Sequence, residues 1–155
     1  MDANGRLRLS AGLWRDFARA AKAEAVLFCL PEGGLGLYPL STWKTMRRQA
    51  DGPAAAAADN LVVRRRLRRF GALAISVEVT RQGRITIPPA FREHAGIAPQ
   101  SAVALVGVEI GVEIWNLERW RGELARIRQH MTDKGEQEME ADLRRAQHGE
   151  PDGKE

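Results

Sequence analysis

The groups in this chain best suited to chemistry are arginines that follow glycines. Residues 2 to 10 read DANGRLRLS and residues 80 to 92 read TRQGRITIPPAFR. Gly5-Arg6 and Gly83-Arg84 each stand between an amide side chain, Asn4 or Gln82, and an alternating apolar run, with Arg8 beyond the first pair and Arg81 ahead of the second. A guanidinium is a permanently charged fork of donors that grips a phosphate or reads O6 and N7 of guanine in a bidentate contact. An Asn or Gln amide matches N6 and N7 of adenine in the same groove. One arginine beside one turn is ordinarily a solvated surface residue. Two copies of the arrangement point to double-stranded DNA as the partner, with Arg6 and Arg84 leading and Arg8, Arg81, Gln82 and Asn4 beside them.

Such groups work only if a stiff element presents them. Asn-Gly signals a tight hairpin turn in which both central residues take positive φ, a conformation glycine adopts freely and asparagine tolerates. Gly5 and Gly83 are read as structural turn residues on that ground. In the second half, 75–79 alternates as a strand, Gln82-Gly83 turns, and 85–87 alternates again, which predicts a hairpin. Pro89 suits the first turn of a short helix over 90–95, which Gly96 ends. A second strand pair follows at 103–106 and 112–115. Asn116 then caps a helix whose Leu117, Trp120, Leu124, Ile127 and Met131 recur at steps of three and four.

The first half repeats this plan. A slide of 78 residues superposes NGRLRLS on QGRITIP and Leu13 on Phe91, and a slide of 77 superposes residues 26–38 on 103–115, matching Gly34 with Gly111 and Trp43 with Trp120. Nothing in the first half corresponds to the strand at 75–79, so its hairpin is expected to have one arm. The organisation is a first half-domain over 1–50, a linker and helix over 51–71, a second half-domain over 72–131, and a charged, disordered tail over 132–155. The linker expectation rests on DGPAAAAAD, and in the helix after it Leu61, Leu67 and Phe70 are expected to face inward.

Composition narrows the function classes. With 44% hydrophobic and 28% charged residues the chain belongs among soluble globular proteins, and no apolar run approaches the roughly 18 residues of a membrane span. A cytoplasmic protein is expected. Beyond residue 129, four Lys or Arg stand against eight Asp or Glu; before it, twenty stand against twelve, so a body of +8 precedes a tail of −4. A basic body permits a polyanion partner. Cys29 lies in the apolar run AVLFCL and reads as a buried structural thiol. His94, His130 and His148 are scattered without metal-ligand spacing, no nucleophile motif is present, and the tail carboxylates have no pocket, so no enzyme, metal, cofactor or small-molecule substrate is expected. RRRLRRF at 64–70 is a secondary candidate for DNA contact, set against a solvated or intersubunit face, while GGLG at 33–36 reads as a turn and Trp43 and Trp120 as packing anchors.

The segments DANGR, QGRITIPPAFREHAGI, LYPLSTW and VEIWNLERW together resemble the MraZ family, transcriptional regulators of the bacterial division and cell-wall gene cluster built from two half-domains of the AbrB, MazE and SpoVT type. The resemblance implies an α+β, mainly β fold: a swapped-hairpin, double-split β-barrel made of two tandem repeats, assembled as a homo-oligomer that is ring-shaped in the family manner. It also implies nucleoid-associated binding to repeated promoter elements. Its DxxxR signature selects Asp2, at the turn, with Asn4 and Arg6 in the first half, and Gln82 and Arg84 in the second. This chain departs from the family at Asn4, where a lysine is usual, at Thr80, which replaces an acidic residue and with it any salt bridge, at Ser10, which replaces a proline, and at Trp14, which stands where the other half has Arg92. An interaction scaffold with decayed DNA binding, or less favoured an antitoxin-like protein, are the alternatives.

Overall fold

A computed structural model of the chain describes residues 1–20, 24–51 and 61–148. The elements run β1 (Arg6–Arg8), α1 (Ala11–Ala20), β2 (Glu24–Cys29), β3 (Leu35–Pro39), α2 (Leu40–Asp51), α3 (Leu61–Ala72), β4 (Ala74–Glu78), β5 (Arg84–Thr86), α4 (Pro89–Ala95), β6 (Val103–Val108), β7 (Gly111–Asn116) and α5 (Leu117–His148). They form an α+β fold with two antiparallel sheets: a two-stranded ribbon, β1-β5, and a five-stranded sheet ordered β4-β2-β3-β7-β6. The linker expected at 51–59 lies almost wholly outside the described residues.

The repeat seen in the sequence reappears in both sheets, where equivalent strands of the two halves pair antiparallel. In the ribbon Leu7 faces Ile85, while Arg6 faces Thr86 and Arg8 faces Arg84. In the large sheet Gly36 faces Glu113, flanked by Leu35 opposite Ile114 and Leu37 opposite Val112. Each junction joins one half to the other. Leu7, Leu9, Ile85 and Ile87 from the ribbon enter the same core as Leu27, Leu35, Leu37 and Ile114 from the sheet. Full burial of each such side chain contributes about 1.5–3 kcal/mol, so the halves stabilise one another. Met1–Arg119 is accordingly a single compact unit.

The expected hairpin between 75–79 and 85–87 does not form. β4 pairs instead with β2, Ala25 opposite Val77 and Leu27 opposite Ile75, and β5 finds its ladder partner in β1. The one-armed hairpin of the first half is resolved in the same way: each half donates one strand to a ribbon that neither could build alone. β6, which corresponds to β2, ends the sheet opposite β4, whereas β2 is flanked by β4 on its outer side.

β2 is apolar without alternation because both of its faces are covered. Ala25, Leu27 and Cys29 join the main core, while Val26 and Phe28 join a second cluster with Tyr38 and Trp43. Phe70 of α3 stacks on Phe28 at 5.9 Å and meets Trp43 edge-on, so Trp43 is a packing anchor. Leu61, expected to face inward, is exposed, since the covering contact of α3 lies at its C-terminal end. Cys29 is buried, and desolvation raises its thiol pKa above 9.0. α4 begins with Pro89 and ends at Gly96 with φ +63, where the Gly96 and Ile97 amides donate back to Glu93 and Arg92. Asn116 caps α5 as expected, accepting from the amides of Glu118 and Arg119 at 2.9 and 3.2 Å.

Residues from Trp120 onward form a second unit. Helix α5 continues to His148, so 132–148 is helical where the sequence reading expects a disordered tail. Its Ala, Glu, Lys, Arg, Gln and Met content favours helix, and a single Gly135 costs only about 1 kcal/mol. The pairs Arg126–Glu123 at 3.0 Å and Lys134–Glu138 at 3.6 Å add support at helical spacing. Ile127 and Met131 of the expected apolar stripe are 41% and 69% exposed.

Candidate nucleic-acid interface

Both glycine turns are built alike, and neither is the two-residue turn that Asn-Gly suggests. Only the glycines take positive φ, +74 at Gly5 and +71 at Gly83; Asn4 and Gln82 do not. The amide of Gly5 donates to the Asp2 carbonyl at 3.2 Å, and that of Asp2 to the Arg6 carbonyl at 2.9 Å. The second turn repeats both bonds, Gly83 to Thr80 at 2.8 Å and Thr80 to Arg84 at 2.9 Å. A three-residue loop of this kind needs one left-handed residue at its end, which glycine supplies.

Asp2 holds the first turn with its side chain: Oδ1 accepts from the amides of Asn4 at 2.9 Å and Arg6 at 2.8 Å. In the second turn Thr80 Oγ1 accepts from the Arg84 amide at 3.0 Å. The acidic residue thus acts here as a backbone acceptor, and threonine keeps the more important of its two bonds. Ser10, in the place of a proline, accepts the Leu13 amide through Oγ at 3.4 Å at the start of α1.

One pH dependence follows. The Arg6 amide bond holds the Asp2 carboxyl below its usual 3.8, outweighing the opposing effect of desolvation, with the Asn4 amide and the Arg6 charge assisting. A carboxyl depressed in the folded state stabilises fully above its unfolded pKa and loses that contribution as pH falls through the folded value. In an NMR titration the Asn4 and Arg6 amides are expected to move as pH drops below 3.8, while the Arg84 amide, bonded to a hydroxyl, stays in place. An Arg84 amide that moves with the same midpoint would contradict this assignment.

Because side chains alternate, Leu7 and Ile85 point into the core, and Arg6, Arg8, Arg84 and Thr86 share the exposed face. Arg8 stands directly opposite Arg84, a cross-strand pairing of like charges that is destabilising by itself. None of the ion pairs among the described residues engages Arg6, Arg8 or Arg84. Arg6 and Arg84 border two grooves of about 400 and 530 Å³, with Arg8 on the first and Glu78, Thr80, Gln82 and Thr86 on the second.

The structure therefore brings Arg6, Arg8 and Arg84 onto one surface instead of two separate tips. Asn4 and Gln82 are not brought together: the strands are antiparallel, so their turns lie at opposite ends of the ribbon, Gln82 and Arg81 exposed at one and Asn4 at the other. Thr86 belongs to the face and was missed, although its alignment with Arg8 could have found it. Among the described residues, no arginine of α3 borders either groove. Among the described residues no three His, Cys, Asp or Glu side chains gather to hold a metal ion, and no helix is long and apolar enough to cross a membrane.

Fold and surface together define a class: an interleaved, duplicated α+β chain that presents guanidinium groups on a two-stranded ribbon. The family model of the MraZ protein, described as antitoxin-like, matches residues 72–142. Curated relatives extend the likeness to both halves. A protein of Thermomicrobium roseum called Transcriptional regulator MraZ is 34% identical over 120 residues, covering 77% of this chain and 78% of its own length. One of the same name from Methylobacillus flagellatus is 34% identical over 128 residues, 82% of each chain, and one from Desulforapulum autotrophicum is 29% identical over 143 residues, 92% of each. This chain belongs to the MraZ family, which is not a family of enzymes.

Proposed function

We propose that this protein is a sequence-specific transcriptional regulator that lays the β1-β5 ribbon into the major groove of DNA, acting at repeated elements in the promoter of the division and cell-wall gene cluster. The observation that carries the reading is the exposed ribbon face on which Arg8 opposes Arg84, with Arg6 beside them and none of the three in a salt bridge among the described residues. Such a face is poorly stabilised alone and well stabilised against a polyanion. A major groove about 12 Å wide admits a two-stranded ribbon. Arg6 and Arg84 lie two residues apart along it, roughly 7 Å, which matches two base steps of about 3.4 Å. They are the leading base contacts, with Arg8, Arg81, Gln82 and Asn4 placed to reach further bases or phosphates.

The name shared by the relatives supports regulation. The common core of ribbon and sheet supports a swapped-hairpin barrel built from half-domains at 1–50 and 72–131. The working form is a homo-oligomer in the cytoplasm, associated with the nucleoid and needing no cofactor. A protein-interaction scaffold is the competing reading, and β6 favours it as the edge strand of the sheet among the described residues, because an apolar edge can add a strand from another chain.

Selection of bound sequences from random duplexes separates the two. A regulator enriches a short repeated element, and its affinity falls with a slope of about −0.9 in log salt for each phosphate neutralised. Absence of enrichment at moderate salt favours the scaffold.

A further inference from the structure

Strand β4 ends the five-stranded sheet among the described residues, and it runs beside an apolar groove. Which backbone groups it offers at its outer edge follows from one bond. The Cys29 amide donates to the Leu73 carbonyl at 2.8 Å, so the alternation of an antiparallel ladder turns the peptide groups of Ile75 and Val77 toward β2 and those of Ala74, Ser76 and Glu78 away from it. Sheet edges are commonly blunted by lysine, proline or a bulge. AISVE has neither lysine nor proline, its five residues pair with β2 in unbroken register, and Ile75 is 40% exposed.

The groove measures about 690 Å³ and is bordered by β4 at Ala74, Ile75 and Ser76. Its floor is aromatic: Trp43 is buried there, with the Phe70 ring edge-on to it. Its rim is cationic. Lys44, Arg47 and Arg48 of α2 border it, and no Asp or Glu is among the residues that line it. Lys44 and Arg48 are exposed and in no salt bridge among the described residues, while the Arg47 guanidinium lies over the Phe70 ring at 5.4 Å.

Outward peptide groups spaced two residues apart match an extended backbone, which can add to the edge as a further strand. Alternate residues of an added strand point to one face, so the aromatic floor takes an apolar side chain from it. The cations favour carboxylates beside that anchor. A DNA duplex offers neither a strand edge nor an apolar anchor. We propose that the groove between α2 and the edge of β4 receives an extended acidic segment of another protein, added to the sheet as a further strand, with an apolar residue over Trp43 and Phe70 and carboxylates against Lys44, Arg47 and Arg48. No residue of the β1-β5 ribbon lines this groove, so the site does not depend on what the ribbon binds.

Selection from a library of random displayed peptides against the full chain tests it. Enriched sequences are expected to carry Asp or Glu on both sides of an aromatic or large aliphatic residue. A synthetic copy of the enriched peptide, labelled for fluorescence anisotropy, should bind a Lys44→Gln, Arg48→Gln protein about 2- to 10-fold more weakly than the wild type, with the difference shrinking at high salt. N-methylation of every second peptide amide should abolish binding in one phase of the alternation and spare it in the other, because only one set of amides faces β4. Lack of enrichment, or enrichment of peptides without acidic residues, overturns the proposal. So does binding that tolerates N-methylation in both phases or is unchanged in the double variant. Enriched peptides that reproduce the chain's own stretch DKGEQEMEAD at 133–142 would make the occupant a second copy and overturn a separate partner.

Discussion

Arg84→Ala should weaken binding to the cognate duplex by about 1–3 kcal/mol, roughly 5- to 150-fold, while leaving the free protein as stable as before or slightly more so. The opposite signs come from one position. In the free protein Arg84 faces Arg8 across the ribbon with neither in a salt bridge among the described residues, so truncation removes a repulsion worth about a few tenths of a kcal/mol. In the proposed complex the same truncation would remove a bidentate contact to guanine, and preference for the cognate duplex over mixed sequence should fall with it. A gel-shift titration and a thermal melt on the same preparations measure both halves. Unchanged binding would take Arg84 out of the interface. A drop in melting temperature that accounts for the binding loss would make Arg84 a structural residue.

The second large effect is on stability. Ile114 is fully buried in β7 and lies opposite Leu35 of β3, at the seam between the halves. Ile114→Ala is expected to cost about 2–5 kcal/mol, because the cavity sits in an interlocked core with little freedom to collapse. The loss should appear in both halves at once. In urea, tryptophan fluorescence and far-UV circular dichroism should shift together to lower denaturant in a single transition. Separate transitions, with one retaining the wild-type midpoint, would show halves that fold independently and would contradict the shared core.

That shared core marks the limit of what could be read in advance. The repeat, both turn glycines, the buried Cys29, the Pro89 and Gly96 boundaries of α4 and the Asn116 cap were legible because each depends on residues close in sequence: a positive φ, a missing amide, a side chain within reach of the next turn. The arginines were legible as candidates for the same reason. The loop type was misread because Asn-Gly is a two-residue signal, whereas the Asp2 carboxylate, two residues upstream, closes a longer loop. The helix at 132–148 is hidden by its charge, which suggests disorder although its residues have high helix propensity.

What the amino-acid order determined by itself was which side of each strand is apolar, where the chain turns, and that the plan occurs twice. Only the tertiary structure decided which strands pair. Alternation specifies a face, but the backbone donors and acceptors along a strand edge are the same for every partner, so nothing local distinguishes β4 from β1 as the neighbour of β5. That choice falls to the burial of Leu7, Leu9, Ile85 and Ile87 in one core, and its consequence is that arginines almost eighty residues apart in sequence come to stand across from one another on one exposed ribbon.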